Sequence, residues 1–269
     1  RYNEGIDQKR IDHLFSAEEN IKSLTVSWKT YRDVYASFML LQMQYEGKSR
    51  WGNHVPQDIF NYRNIKNFFP DAKIIFCIRD PRDFLLSYKN KWRITSPENV
   101  NRLKNLYHPI LTSLLWKSSV NLMPILANYF PSENLTTIYY EDLVNYPENA
   151  VKKLCQFIGE NYESCMLEVD NPKSSHNPKQ RGIFSSSVGR WRKGLSPEEI
   201  FLSQIILKKE MNKHGYPIEN NSVNNLNLII TIMSFPYVLI RGINSQKKLR
   251  GPLLPYLARR TLSLVIKKE

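Results

Sequence analysis

Cysteine is scarce in this sequence, and the few cysteines are poorly placed for bridging or for metal binding. Cys77, Cys155 and Cys165 are the only cysteines among 269 residues, and they form neither a CxxC pair nor a cluster with the five histidines. This spacing argues against a disulfide framework and a zinc site, and it indicates a reducing compartment. The polar start of the sequence predicts no signal peptide, so the expected location is the cytoplasm.

Glycine and long hydrophobic runs are scarce as well. The ten glycines form no G-x-x-x-x-G-K-S/T loop, which binds the phosphates of ATP in many nucleotide-binding proteins. The longest apolar run, 226–240, has about 15 residues, whereas a helix that crosses a membrane needs roughly 20. These absences argue against an ATP-dependent kinase and predict that the apolar run does not span a membrane.

Acidic residues are nearly absent from the C-terminal part, so the charge is uneven. The net charge is +13, and residues 241–269 contribute eight cations and one acid, or +7. The cations are Arg241, Lys247, Lys248, Arg250, Arg259, Arg260, Lys267 and Lys268. This balance suits anionic partners such as nucleotides, acidic proteins or an acidic membrane surface. Nucleic acid is disfavoured, because few aromatic residues are interleaved with the cations.

The change in composition predicts two regions, a main domain at 1–219 and a basic, partly apolar appendage at 220–269. Two alternatives stay open for the apolar run of the appendage. It packs on the domain or on another subunit of a homo-oligomer, which is the favoured alternative. Otherwise it makes a peripheral membrane contact through 226–269, with its basic side chains near anionic head groups.

Two short apolar runs predict a parallel sheet. Lys73–Ile78 contains a continuous apolar run from Ile74, as expected of a strand that is buried on both faces, and Thr136–Tyr140 is expected to form a second buried strand. Helical patterns surround them, at 1–47, Gln57–Phe69, Pro81–Trp92, Val100–Phe130, Pro147–Gly159 and Ser196–His214. This alternation predicts an α/β fold in which helices flank an open parallel sheet.

The strongest candidate for a ligand site follows the first predicted strand. Arg79 stands at the carboxyl end of that strand, where parallel α/β sheets bind ligands and where helix N-termini attract anions. Ser87 lies two turns into the next helix, within reach of a phosphate held by the Arg79 guanidinium. From spacing alone, a surface Arg–Asp pair and a helix-lining serine stay open as the alternative.

Three segments, in order, resemble those of sulfotransferases that use 3′-phosphoadenosine-5′-phosphosulfate. The first has an R-D-P-x-D run followed by a serine eight positions after the arginine, formed by Arg79, Asp80, Pro81, Asp83 and Ser87. The second, 139–159, resembles the family's Y-E-D-L…P…F-I-G stretch, and the third, 189–199, its G-x-W-K/R…L-S/T-P-E stretch. The resemblance covers about residues 50–215 and implies the P-loop NTPase-like sulfotransferase fold, with no metal.

The resemblance also implies roles for individual residues. Arg79 and Ser87 would bind the 3′-phosphate of the nucleotide, and Tyr140 would contact its adenine. The loop that closes over the same phosphate would contribute Ser185, Ser186, Ser187, Gly189 and Arg190. Many relatives have an Arg-Lys-Gly triplet where this chain has Phe184–Ser186, so serine hydroxyls and backbone N–H groups would serve as the donors here.

His54 is the candidate catalytic base. Its Asn-His-Val-Pro context resembles the H-L-P context of the catalytic histidine in many cytosolic relatives, and it precedes Arg79 by 25 residues. A neutral imidazole suits removal of the acceptor proton. The alternative is a carboxylate base earlier in the chain, because Trp51–Pro56 also resembles the W-G-x-K-T-P of relatives that use one. His108, His176 and His214 are expected to face solvent.

One segment of the family is not found. Residues 1–47 contain nothing like P-R/K-S-G-T-T, the loop that binds the 5′-phosphosulfate after the first strand. We expect that strand and loop to lie outside this sequence, because a parallel sheet without them would expose a wide apolar edge. Loss of the loop in a degenerate relative is the alternative.

The predicted function is transfer of a sulfuryl group from 3′-phosphoadenosine-5′-phosphosulfate to a hydroxyl or amine, leaving 3′-phosphoadenosine-5′-phosphate. The acceptor, a small molecule or a group on a carrier, is not identified by the sequence. Two alternatives stay open: an ATP-dependent kinase of related fold, and a non-catalytic, membrane-associated relative.

Overall fold

Two compact units make up the chain, residues 1–71 and residues 72–269. The computed structural model describes residues 28–95, 97–170 and 181–245. The helices expected within 1–27 and His176 lie outside the described residues. The boundary between a main domain and an appendage at residue 220 stays a prediction.

Helices form the described part of the first unit. Helix α1 spans Tyr31–Tyr45, a 3₁₀ helix spans Pro56–Asn61, and α2 spans Tyr62–Phe68. The helix expected at Gln57–Phe69 therefore begins with a 3₁₀ segment, whose first residue is a proline. Helix α1 begins at a capping box in which Thr30 and Asp33 each bind the other's backbone N–H.

Aromatic rings hold α1 against the chain that follows it. The Tyr35 ring lies 6.1 Å from Trp51 and 5.9 Å from Phe69, and the Trp51 and Phe69 rings are 5.4 Å apart, measured between centroids. The Trp51–Phe69 pair is edge-to-face, a geometry that the ring quadrupoles favour. This three-ring cluster fixes the start of the segment that carries His54.

The second unit is built on a small parallel sheet. Strands β1 (Ile74–Ile78) and β2 (Leu135–Tyr139) pair in parallel, with Ile74 opposite Leu135 and Ile78 opposite Tyr139. Both strands lie within one residue of the two apolar runs that predicted them. Over the described residues the fold is thus α/β as expected, but mostly helical, with a sheet of two strands.

Nine α-helices accompany this sheet in the described part of the second unit. They are α3 (Pro81–Lys89), α4 (Pro97–Lys104), α5 (Pro109–Val120), α6 (Met123–Tyr129), α7 (Tyr140–Asn145), α8 (Pro147–Ile158), α9 (Trp191–Gly194), α10 (Pro197–Lys213) and α11 (Asn225–Ser245). Short 3₁₀ helices lie at Lys91–Ile94, Ser132–Asn134, Ser164–Leu167 and Ser185–Ser187.

The single helix expected at Val100–Phe130 is wrong, because this stretch forms α4, α5 and α6. Two prolines explain the breaks, since proline lacks the N–H of the helical ladder and disfavours a helical residue before it. Pro109 follows His108, whose backbone is extended at φ −153° and ψ 139°. Pro124 lies in the first turn of α6.

Two helical stretches of the described chain are long and apolar enough, by length and composition, to cross a membrane. They are Pro109–Tyr129, which contains α5 and α6, and Asn225–Ser245, which is α11. The first contains Trp116, Val120 and Leu126, which are buried in the core. Helix α11 has 21 residues, more than the apolar run of about 15 residues that was read from the sequence.

The core beside the sheet joins α3, α9 and α10. Leu85, Leu86, Trp191, Leu195 and Ile200 form one buried cluster. The helices approach closely here, since a Cβ added at Gly194 would lie 2.5 Å from the Leu86 side chain. This packing fixes α3, and with it the residues that follow β1.

Replacing Leu85 by alanine should lower the free energy of unfolding by about 2–5 kcal/mol, because the substitution leaves a cavity in this cluster. Leu85 is fully buried, whereas Leu114 on α5 is 46% exposed, so Leu114→Ala is the matched control and should change stability by less than about 1 kcal/mol. Urea unfolding followed by circular dichroism measures both. Equal losses at the two positions would contradict the packing described.

Candidate functional site

Arg79 stands directly after β1, at the carboxyl end of the parallel sheet. Its backbone carbonyl accepts a hydrogen bond of 3.0 Å from the indole N–H of Trp116, a buried residue of α5. This bond fixes the chain at the point where the strand ends. The backbone that carries the Arg79 side chain is therefore fixed in position, as an anion-binding group requires.

The Arg79 guanidinium lies between two segments that the sequence also singled out. Its Nη2 donates to the backbone carbonyl of Ser187 at 2.8 Å, and its Cζ lies 4.3 Å from the centroid of the Tyr140 ring. Its Nε is buried and has no hydrogen-bond partner among the described residues. A buried cationic donor without a partner is costly, so this atom is suited to binding an anionic oxygen.

A hydroxyl chain completes this arrangement. The Ser187 hydroxyl lies 2.8 Å from the Tyr140 hydroxyl and donates to the carbonyl of Phe184 at 3.1 Å. Since the single Ser187 proton is used by that carbonyl, Tyr140 is the donor to Ser187. Tyr140 was expected at the end of the second strand, but it is the first residue of α7. The structure thus brings Arg79, Tyr140 and Ser187 together.

Asp83 anchors the loop that carries Ser187. Its carboxylate is buried and accepts hydrogen bonds from the backbone N–H of Gly189 at 2.7 Å and of Trp191 at 3.1 Å. Gly189 has φ 72°, a left-handed conformation that glycine adopts without strain. Burial raises the pKa of the Asp83 carboxyl, and the two N–H groups and the Arg79 cation oppose this rise.

A buried ion pair lies on the other side of Asp83. Arg82 contacts both carboxylate oxygens of Asp80, at 3.0 and 2.7 Å, and both residues are buried. Its guanidinium also donates to the Gln204 side chain at 3.0 Å and to the Pro217 carbonyl at 2.9 Å. It lies 3.9 Å from the centroid of the Trp191 ring. Arg82 is therefore fully used inside the protein, which leaves Arg79 as the neighbouring cation suited to a ligand.

Glu141 joins the ends of the two strands. One carboxylate oxygen accepts the backbone N–H of Asp80 at 2.8 Å, and the other accepts the Tyr216 hydroxyl at 3.0 Å. Burial, with the nearby Glu141 charge second, raises the pKa of the Tyr216 hydroxyl. Glu141 thus holds the start of α3 against the start of α7, which are the segments that carry Arg79 and Tyr140.

The other predicted site residues are spread more widely. Ser87 is exposed in α3, and no hydrogen bond links it to Arg79 in the described part of the chain. Ser186 is exposed, and Arg190 is half-buried immediately before α9. His54 is exposed in the first unit, ahead of the 3₁₀ helix at Pro56–Asn61. The roles assigned to all of these residues stay predictions.

Two histidines differ from expectation. His108, expected to face solvent, is buried, and burial lowers its pKa. His214 is half-buried, with Nδ1 3.2 Å from the Tyr139 hydroxyl and its ring against Trp116. Both were misassigned because their partners are distant in sequence. Across the described residues, no group of three or more His, Cys, Asp and Glu side chains is arranged to hold a metal ion.

Sequence reasoning missed Trp116, Asp83 and Glu141 as positioning residues. Asp83 and Glu141 carried a signal, since both lie inside the two segments singled out, R-D-P-x-D and Y-E-D-L. No sequence signal marked Trp116 as a positioning residue, because a tryptophan in a helical stretch usually belongs to the hydrophobic core. Its role depends on the indole N–H, which must find a partner when it is buried.

Comparisons with known proteins identify relatives of this chain. A family model described as the sulfotransferase family matches residues 1–164. Sulfotransferase 2A6 of Mus musculus is 31% identical over 172 residues, 55% of this chain and 56% of the relative. The 3-beta-hydroxysteroid sulfotransferase of Cavia porcellus is 29% identical over 159 residues, 53% of each chain. The chain spans about half the length of these curated relatives.

A solved structure is similar in fold. The sulfotransferase domain from the curacin biosynthetic pathway superposes with a TM-score of 0.52 at 18% identity, over 79% of each chain. The likeness to this domain shows a shared fold, and the family model covers more than half of the chain. The resemblance read from the three sequence segments is confirmed: this chain belongs to the sulfotransferase family.

Proposed function

We propose that the protein transfers a sulfuryl group from 3′-phosphoadenosine-5′-phosphosulfate to an acceptor hydroxyl or amine. Family membership supports the reaction class. The observation that carries the donor assignment is Arg79, a half-buried arginine at the carboxyl end of the sheet with a partnerless Nε. A hydroxyl is the better-supported acceptor, because two relatives are named as hydroxysteroid sulfotransferases.

The residues beside Arg79 fit a phosphorylated nucleoside. The guanidinium is the charge-assisted donor that a phosphate prefers, and the Ser187 and Tyr140 hydroxyls lie next to it, where they would turn from their present acceptors to donate to a phosphate. Backbone N–H groups of the Ser185–Ser187 turn would add further donors, as in other anion-binding turns. Arg79, Ser187 and Tyr140 would therefore hold the 3′-phosphate and the adenosine, with Ser87 and Arg190 at the edge of the site.

The bound donor supplies the sulfuryl group and leaves as 3′-phosphoadenosine-5′-phosphate. The residues of this chain act by position: they bind the nucleotide far from the sulfur and thereby orient it for attack. His54 would remove the acceptor proton, a task for a neutral imidazole. A kinase has no support of this kind, because the matched family is the sulfotransferase family.

Replacing Arg79 by alanine should weaken binding of 3′-phosphoadenosine-5′-phosphate roughly 10- to 100-fold, the loss expected for a charge-assisted contact. Binding of AMP, which lacks the 3′-phosphate, should change little. Isothermal titration calorimetry measures both affinities. Lys152→Ala is the control, because it removes an exposed cation of α8 that pairs with Glu148 and lies over the Tyr162 ring. Equal affinity of wild type and Arg79→Ala for the bisphosphate would refute the donor assignment, as would a preference for ATP.

Replacing Asp83 by asparagine should loosen the loop. Both carboxylate oxygens now accept a hydrogen bond from a backbone N–H group, and the asparagine NH2 group would place a donor against one of these donors. We expect faster amide hydrogen exchange at Gly189 and Trp191 and a roughly tenfold loss of bisphosphate affinity. Asp142→Asn, at an exposed position of α7, is the matched control and should leave both unchanged. Unaltered exchange in Asp83→Asn would show that the carboxylate does not hold the loop.

Replacing His54 by alanine should lower the single-turnover rate of sulfuryl transfer roughly 10²- to 10⁴-fold while bisphosphate binding stays unchanged, because only proton transfer is lost. Added imidazole should restore part of the rate and shift its pH dependence. A His54→Ala protein of wild-type rate would assign the base to another residue.

A further inference from the structure

Helix α11 is held to the second unit along one face only. His108 Nε2 lies 3.1 Å from the backbone carbonyl of Thr231 and 3.3 Å from the Ser234 hydroxyl, and its ring lies 5.4 Å from the Phe235 ring, measured between centroids. At the other end, Gly242 is buried, and a Cβ there would lie 3.2 Å from the Asn105 carbonyl. The helix therefore lies along the surface of the unit, held at both of these places.

The opposite face of α11 is apolar and exposed. Its outward residues follow the spacing of one helix face and are Leu226, Ile229, Ile230, Met233, Tyr237 and Ile240. Their side chains are between 57 and 72% exposed. Single exposed apolar residues are ordinary, but six on one face of a helix form a contiguous patch that marks a contact surface.

A cation, Arg241, lies at the C-terminal end of this patch. Arg241 follows the last outward residue, and its guanidinium lies 5.4 Å from the centroid of the exposed Tyr237 ring. Tyrosine and arginine side chains combine an apolar body with a polar tip, which suits the boundary between lipid chains and head groups. The sequence from 220 to 269 contains eight cations and one acid, Glu269. Helix α11 itself thus combines an apolar outward face with one cation and no acidic residue.

Charge decides which occupant this patch fits. In a symmetric dimer the same patch would meet itself, and α11 contains no acidic side chain to pair with Arg241 of the other copy. An anionic phospholipid surface instead offers acyl chains to the outward side chains and phosphates to the cations. Because the inner face stays on the unit through His108 and Gly242, the helix reaches only the interface of the bilayer.

We propose that the outward face of α11 docks the protein on membranes that contain anionic phospholipids, with the helix parallel to the bilayer. The outward side chains insert among the upper acyl chains, while Arg241 binds phosphate groups. This inference does not depend on the donor assignment, since α11 contains no residue of the site around Arg79.

Vesicle flotation with the whole chain tests the proposal. The probes are vesicles of phosphatidylcholine alone and of an equal mixture of phosphatidylcholine and phosphatidylserine. The protein should float with the mixed vesicles, and the double variant Ile229→Gln/Met233→Gln should bind them at least roughly tenfold less. Ile205→Gln is the matched control, because Ile205 is 59% exposed on α10, outside the patch. Circular dichroism melting curves confirm that each variant is folded.

Three outcomes would overturn the proposal. One is a wild-type protein that does not float with the mixed vesicles. Another is equal binding to both kinds of vesicle, or equal binding by the double variant and wild type. The third is a dimer in sedimentation velocity that the double variant dissociates, which would assign the patch to a second copy of the chain. Loss of flotation in the double variant with retention in Ile205→Gln supports the proposal.

Discussion

A buried ion pair at the start of α3 is the interaction on which the second unit depends. Asp80 caps the helix by accepting the N–H of Arg82 at 2.8 Å, and the same carboxylate binds the Arg82 guanidinium. A buried pair of this kind is tolerated only when its remaining hydrogen-bonding groups are satisfied. Here Gln204 and Pro217 supply the further acceptors, and Trp191 covers the guanidinium. The pair therefore ties the end of β1 to α9, to α10 and to the chain that follows α10.

The candidate site uses the residues on either side of that pair. Arg79 precedes it and Asp83 follows it, and their tasks differ because their surroundings differ. Asp83 is buried and accepts two backbone N–H groups, so it fixes the loop. Arg79 keeps a donor without a partner, so it is suited to a ligand. A rigid segment thus carries both the group that would bind an anion and the group that holds the covering loop, as preorganised binding requires.

Local signals predicted much of the fold correctly. Ser196 and Glu199 form the capping box of α10, and Gly159 ends α8 at φ 76°. These features depend on residues a few positions apart, so the sequence contains them in full. The helix breaks at Pro109 and Pro124 are also set by the local sequence. A single helix was predicted there because the spacing of the apolar residues was given more weight than the two prolines. The family resemblance rested on the same kind of short-range pattern.

By itself the sequence determined the strands, the helix caps, the excess of positive charge and the three family segments, because each is set by neighbouring residues. The tertiary structure alone decided which side chains meet. Trp116 reaches Arg79 across 37 positions, Asp83 reaches Gly189 across 106, and His108 reaches Thr231 across 123. The spacing of apolar residues in the sequence does not predict such pairings, because they depend on how the helices pack on the sheet. The same packing selects which face of α11 is buried, and so leaves its other apolar face exposed.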